Sequence, residues 1–509
     1  MLASLLDIPL PQERVNALPP EELRRQQLAA LTASVMAGAR VQPVVLALED
    51  VHWADPTTLD VLRGIAERGA LAPLFVVATA RPEFRAPWST RSHHSTISLS
   101  PLDRHQVRHM VSELAARHAL PKEVIDSVTE RTGGVPLFVE EVTRLLLERG
   151  ENGGVQAIPP TLQQSLTARL DRLGPAREVA QIGAVIGRDF SYALLHAVAG
   201  MDEAPMHTAL ERLAEADILL VQGLPPDSDY RFKHALIQDA AYENLLKSRR
   251  QVLHRRAGEV LRDQFADSAT AGPELLAHHF TRAGLTEAAI EWWGKAGQRS
   301  LERSALVEAA AQFTCALDLI ATLPATPALR REQIKLQVAL ITPLIHIKGY
   351  SAPETIAAIE QARLLLEQAE AIGEPPEDPL LLFSVLYGVF IANIAAFNGD
   401  VCRDIAAHTL QLAEKQSATF PRVLGHNNLG GSSMFIGDIA EGRAHLDQAI
   451  ALYDPVAHRP LATRFGEDQT VATLSLRSWA LWLLGYPDAA LRDTDDALKN
   501  ARETGQVAT

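Results

Sequence analysis

Between Val44 and Leu48 the chain runs V-V-L-A-L, five apolar residues with no polar alternation. Such a run predicts a short strand buried on both faces, as in a parallel sheet covered by helices. Before it, "PPEELRRQQLAALTASVMAGAR" (19–40) has helical spacing, with Leu23, Leu28, Leu31 and Val35 as one apolar stripe. After it, Thr58 to Arg68 is helix-like, and "LAPLFVVATARPEF" (71–84) contains a second apolar strand. Residues 100 to 150 turn helical, with Asp103 placed to cap the first helix and a Gly-Gly turn in "RTGGVPLFVEEV". Glycines at such a turn let a backbone approach a ligand closely, or simply join two helices. "ENGGVQAIPP" (151–160) reads as a linker.

Several short helical stretches follow, then two short strands around Leu219–Val221 and Tyr230–Lys233, a winged-helix-like pattern. From about residue 270 the pattern is all-helical and repetitive, and small residues recur beside a large partner. One set is Ala277, Gly284, Ala289 and Ala296 with Phe280 and Trp293; another is Gly297, Ala309 and Ala316 with Phe313. Gly430, Gly437, Gly442 and Ala449 follow, then Gly485, Ala490 and Ala497. Small residues let paired helices approach, as in tetratricopeptide (TPR) repeats, although no strict 34-residue period is kept. Stacked helix pairs form a solenoid whose concave face suits a peptide or protein partner.

The candidate chemistry sits at the strand ends. Glu49 and Asp50 fall at the carboxyl edge of the first strand, where open α/β sheets bind ligands. One acid there can hold Mg²⁺ and the other can orient an attacking water; the plainer alternative is a solvated acidic turn. Arg81, after the second strand, could reach a phosphate, or lie on the surface before a Pro turn.

Composition narrows this picture without redirecting it. An apolar content of 47% with 22% charged residues is that of a globular protein, and 509 residues imply several domains. A net charge of −14 argues against a general nucleic-acid binder. The basic stretch "KSRRQVLHRRAGEVLR" (247–262) reads as a solvated helix face. Two cysteines far apart, Cys315 and Cys402, imply no disulfide framework and fit a reducing cytoplasm. The N-terminus shows no signal-peptide pattern. "LLLFSVLYGVFIANIAAF" (380–397) is long enough to span a bilayer, but Ser384, Tyr387, Gly388 and Asn393 make it a buried repeat helix, so no membrane partner is expected. His105 and His109 have metal-ligand spacing with no third ligand near, and His93-His94 and His278-His279 are pairs without sequence partners. No G-x-S-x-G elbow and no cyclase motif occurs.

"LALEDVHWADPTTLDVL", "VVATARPEF" and "GGVPLFVEEV" together resemble the Walker B, sensor 1 and GxP segments of STAND-type P-loop signalling ATPases. The likeness is greatest to the large bacterial proteins in which such a core precedes helical repeats and often follows a cyclase domain. The resemblance implies an α/β partial P-loop NTPase core (1–103), a helical lid with the GxP motif (104–154), an all-α winged-helix-like switch with linking helices (155–270) and a TPR-like α-solenoid (271–509). It implies ATP or ADP with Mg²⁺ as cofactors. Glu49 matches the Mg²⁺-associated acid, Asp50 the water-orienting acid, Arg81 the sensor arginine and Pro136 the GxP proline near the adenine. "FKHALIQDAAY" is similar to the family's MHD-type segment, with His234 where the diphosphate is sensed. A His there could donate to phosphate oxygens, or bond to backbone at a strand end.

One part is missing. A P-loop NTPase needs G-x-x-x-x-G-K-[ST] to cradle phosphates. The one Gly-Lys pair, Gly294-Lys295, has Ala289 and Ala296 where that pattern needs Gly and Ser or Thr. The expectation is therefore a piece of an ATP-dependent signalling regulator, cut upstream of Walker B and unable by itself to hydrolyse ATP. A non-enzymatic TPR scaffold is the first rival. A transcriptional regulator whose DNA-binding module lies outside the chain is the second.

Overall fold

The computed structural model describes residues 20–115, 120–149, 159–223, 227–266, 270, 272–349, 352–374, 378, 380–395, 398–414 and 418–504. The described chain is mostly helical and divides into two compact units, Met1–His93 with Trp293–Thr509, and His94–Trp292.

In the first unit, α1 (Pro20–Val41) leads into β1 (Val44–Leu48), α2 (Pro56–Arg68) and β2 (Leu74–Ala78). The two strands pair in parallel, Val44 opposite Leu74 through Leu48 opposite Ala78. That is a βαβ unit, as the apolar runs and the intervening helix predict. Asp55 caps α2 by accepting the Thr58 N–H at 2.8 Å, with Pro56 at the first helical position. The expected double burial of β1 is not met. Val45 is 69% and Phe75 63% exposed. A parallel sheet is dry only when both faces are covered, and among the described residues these two strands lack that cover. The buried apolar residues of this segment lie elsewhere: Met36 and Ala39 on α1, Val51 after β1, Leu62 and Ile65 on α2. The inward face of α1 also differs from the expected stripe. Gln27, Thr32, Met36 and Ala39 are buried, while Leu28, Leu31 and Val35 are half-buried.

The rest of this unit is the repeat region. Helices such as Leu306–Ile320, Phe420–Phe435, Ile439–Leu452, Gln469–Leu483 and Pro487–Thr504 pack against their sequence neighbours, consistent with a helical solenoid. The small residues act as expected. A Cβ on Gly297 would stand 2.4 Å from the Phe313 ring, and one on Gly430 2.7 Å from Leu446. Residues Leu380–Ala395 form a helix with Phe383, Leu386 and Phe390 buried. No helix among the described residues is long and apolar enough to cross a membrane.

The second unit opens with α3 (Arg104–Leu114), capped reciprocally by Asp103 and Gln106 as a capping box. Then come α4 (Lys122–Thr132), α5 (Pro136–Arg149), α6 (Leu162–Arg172), α7 (Ala176–Ile186), α8 (Tyr192–Ala199), α9 (Glu203–Glu215), α10 (Ala235–Glu243) and α11 (Lys247–Gln264). The stretch read as a linker, 151–160, falls almost wholly outside the described residues. The two expected strands are present as β4 (Leu219–Gln222) and β5 (Asp229–Phe232), and a third, β3 (Asp189–Ser191), pairs on the other side of β5. The sheet is antiparallel in the order β3-β5-β4, so this segment is not all-α. Phe190, Tyr230 and Phe232 join Val179, Leu195, Leu213 and Ile237 in one continuous core.

Candidate functional site

The carboxyl edge of β1 is shaped by long-range hydrogen bonds. Thr79, just past β2, donates its N–H to Leu48 O at 2.9 Å and accepts the Val51 N–H at its carbonyl at 2.9 Å. Its hydroxyl oxygen accepts the Asp50 N–H at 2.9 Å. Asp50 is thereby held at φ 55°, the left-handed region that costs a non-glycine residue energy. Asp and Asn tolerate that region best, so the residue type fits the backbone it must adopt. Glu49 precedes it on the exposed strand end. His52 places Nδ1 4.0 Å from Asp50 Oδ1, and both its ring nitrogens are buried without a hydrogen-bond partner. Arg81 follows two residues after Thr79, its guanidinium 5.9 Å from the Trp53 ring centroid, a cation–π contact. The structure thus gathers Glu49, Asp50, Thr79 and Arg81 at one end of one parallel pair, with Trp53 as a platform.

Sequence reasoning did not foresee where this edge is fastened. Thr57 donates its N–H and its hydroxyl to Glu308 Oε1, at 3.0 and 2.8 Å. Glu308 lies on the repeat helix Leu306–Ile320 of the same unit, 251 residues away. Burial pushes the Asp55 carboxyl up, but the Thr58 hydrogen bonds outweigh it and hold Asp55 below the usual carboxylate range.

Pro136 and His234 belong to the second unit. Pro136 starts α5, and the turn before it carries Gly133 and Gly134 at φ 56° and 75°. A Cβ on Gly134 would stand 2.0 Å from Leu102 O, and Leu102 N–H donates to Gly134 O at 2.7 Å. The close approach permitted by this glycine is to the chain's own backbone. His234 is the N-terminal flanking residue of α10, with Nε2 buried and without a hydrogen-bond partner. Beside it, Lys233 Nζ pairs with Glu140 at 3.1 Å and Asp217 at 3.4 Å, and Arg144 pairs with the same two acids at 3.1 and 2.6 Å. Burial raises the Glu140 carboxyl, yet Lys233 and Arg144 together hold it below its ordinary value. This four-membered network fastens the helix begun by Pro136 to the strand end that carries His234. Nothing in sequence spacing announces it, since Glu140 and Lys233 are 93 residues apart.

The histidines resolve differently from their spacing. Among the described residues, no group of three or more His, Cys, Asp or Glu side chains is placed to hold a metal. His279 has a partner after all, with its Nδ1 2.9 Å from Nδ1 of His254. His254 Nε2 lies 3.0 Å from the Tyr242 hydroxyl. If Tyr242 donates to His254, His254 must carry its proton on Nδ1 and donate to His279, so both rings are neutral. Burial pushes His254 down to about 4 and His279 to about 3.

No family model matches the chain. It is 29% identical over 484 residues to a curated relative, the uncharacterized protein R02095 of Rhizobium meliloti (strain 1021). That match covers 92% of this chain and 46% of the relative, so the chain spans about half the relative's length. Among solved structures, it is similar to a Signal Transduction ATPase with Numerous Domains (STAND) protein with a tetratricopeptide repeat sensor, PH0952 from Pyrococcus horikoshii, at 11% identity and a TM-score of 0.38. The similarity covers 95% of this chain and 72% of that one, and is too low to assign a shared fold.

Proposed function

We propose that the chain serves a STAND-type signalling ATPase, in which the edge of β1 and β2 works on a nucleotide and the helical repeats hold a protein partner. The observation that supports this best is Asp50, held in a strained conformation by Thr79 at the carboxyl edge of two parallel strands, with Glu49 and Arg81 beside it. Strain of this kind clusters where a backbone serves a ligand. Carboxylates on a strand edge fit a hard cation such as Mg²⁺. No residue of the 509 fits the phosphate cradle, because G-x-x-x-x-G-K-[ST] is absent, so no hydrolytic step is derived for these residues alone. The lid and sensor roles of Pro136 and His234 rest on the resemblance alone, and within the second unit the Glu140–Lys233 network holds their two segments in one arrangement.

ATP turnover tests the site. These 509 residues by themselves are expected to show none. In a product that also carries a phosphate loop, Glu49→Gln and Asp50→Asn should each cut turnover by at least about 100-fold, the size usual for loss of a preorganised group. Full activity in both variants would remove the assignment.

A second reading, a repeat scaffold without catalysis, is favoured by the missing phosphate loop. Mg-ATP separates the two, because a ligand that binds only the folded state raises the unfolding temperature. A concentration-dependent rise supports a nucleotide site, and no rise up to millimolar ATP supports the scaffold.

A further inference from the structure

The repeat region contains a cleft of about 560 Å³ between the helices Leu380–Ala395, Phe420–Phe435, Gln469–Leu483 and Pro487–Thr504. Its floor and walls are mainly apolar, with Phe390, Ile391, Ile394 and Val471 among them. Several polar side chains, Asn427, Ser475, Ser478 and Thr494 among them, also line it, and two further polar groups stand out. Asn428 is only 1% exposed, lines the cleft, and has no hydrogen-bond partner at either Oδ1 or Nδ2. Its neighbour Asn427 shows what a structural amide does here. Asn427 Nδ2 donates to Gln469 at 2.9 Å and its Oδ1 accepts from Thr473 at 3.1 Å. Asn428, the next residue of the same helix, lines the same cleft and has neither bond. A buried amide left unmet on both atoms is rare enough to require an explanation. The second group is Glu467, the one charged residue among the lining side chains, which accepts from the Tyr387 hydroxyl and has no basic partner among the described residues.

We infer that this cleft binds an extended peptide segment of a partner protein, pairing its backbone with Asn428 and setting a basic side chain against Glu467 beside an apolar one in the Phe390–Ile394 wall. The inference rests on the reading of the repeats as a protein-binding surface. In an extended residue the N–H and C=O point to the same side. One Asn side chain presents an acceptor and a donor that match that pair. Trp479 (56% exposed), Phe435 and Leu498 line the mouth and continue the apolar surface outward, so the fitting occupant is longer than the cleft, as a polypeptide is. Glu467 selects for positive charge, since a like charge beside a half-buried carboxylate is disfavoured.

The test uses the full chain and two sets of fluorescein-labelled, capped octapeptides on a Gly/Ser background. One set carries adjacent Leu-Lys or Phe-Lys at its centre, and the other carries Glu in place of Lys. Fluorescence anisotropy should show the Lys set binding at least tenfold more tightly, and Glu467→Gln should bring the two sets together. Asn428→Leu should weaken binding at least tenfold while the unfolding temperature stays equal or rises, because the unmet amide is gone. Trp479→Ala, at the exposed mouth, should also weaken binding without loss of fold. Equal affinity for both sets, or unchanged affinity in Asn428→Leu, would overturn the proposal. Photo-crosslinking separates the two levels. Peptide captured on other repeat helices, indifferent to the cleft variants, would sink the cleft and keep a protein-binding solenoid. No capture anywhere would sink both.

Discussion

The two small sheets of this molecule come from strands of similar length and opposite fate. In β5, the sequence D-Y-R-F alternates, and the structure buries Tyr230 and Phe232 while exposing Asp229 and Arg231. In β1 and β2 the runs V-V-L-A-L and L-F-V-V-A are continuous, yet Val45 and Phe75 stand largely in solvent. Alternation encodes its own answer, because a strand with one polar face needs cover on one side only. A continuous run needs cover on both sides, and that cover comes from other parts of a chain. The first kind of strand is legible locally, and the second is a statement about neighbours.

The largest effect that sharpens this contrast is truncation of one aromatic in each sheet. Phe232 is fully buried against Phe190, their ring centroids 5.9 Å apart. Phe232→Ala should cost about 3–5 kcal/mol, the range for a core phenylalanine. Phe75→Ala should cost less than about 1 kcal/mol, since most of its surface is already wet. Urea unfolding of both variants measures the difference. Equal losses would mean that β2 is buried in solution.

Acid reaches the deeply packed unit next. His254 and His279, buried and bonded to each other, have folded values of about 4 and about 3, against about 6.5 in an unfolded chain. Burial is the main cause for each, with His278, Arg282 and Arg250 adding repulsion at His254. Between those values the unfolded chain binds more protons, so stability is complete above about pH 6.5 and falls as pH drops toward 4. Down to pH 4.5, about two units below the unfolded value, the loss should be on the order of 2–3 kcal/mol per histidine. Unfolding temperatures from pH 7.5 to 4.5 should show it, and His279→Asn should flatten the slope. The same slope in that variant would place the acid-sensitive group elsewhere. His426, whose Nδ1 lies 3.0 Å from Nδ1 of His445, adds a second contribution in the repeats, where burial and the neighbouring His445 lower it.

Much of the helical framework is legible because helix starts are local chemistry. Asp103 with Gln106, and Asp55 with Pro56, mark the beginnings of α3 and α2 within three residues of sequence. The strand ends that carry Glu49, Asp50 and Arg81 are legible for the same reason. What holds them is not. Thr79 on Asp50, Glu308 on Thr57, and Lys233 on Glu140 join distant segments, and hydrophobic periodicity carries no information about such pairs. The strand β3 escapes notice because three residues, D-F-S, are too few to show a period. The inward face of α1 departs from its apolar stripe because its buried positions include Gln27 and Thr32, which an apolar count passes over.

The smallest effect concerns the cap that sets the angle at which the chain leaves the exposed sheet. Asp55 accepts from Thr58 N–H at 2.8 Å and from its hydroxyl at 2.5 Å, and Thr57 beside it is tied to Glu308. Asp55→Ala removes the cap at a cost of about 1 kcal/mol. Because its carboxyl is held below the ordinary value, the same stabilisation is present above about pH 4 and fades as pH falls below it. The effect is small because the sheet beside it already gains little from burial, and the cap acts on α2 rather than on β1. Asp55→Asn keeps an acceptor oxygen and should recover most of the loss at pH 7, leaving the acid limb flat. If Asp55→Ala instead cost as much as Phe232→Ala, the turn after β1 would be a main support of its unit, and exposure of the strands would no longer measure how firmly that edge is held.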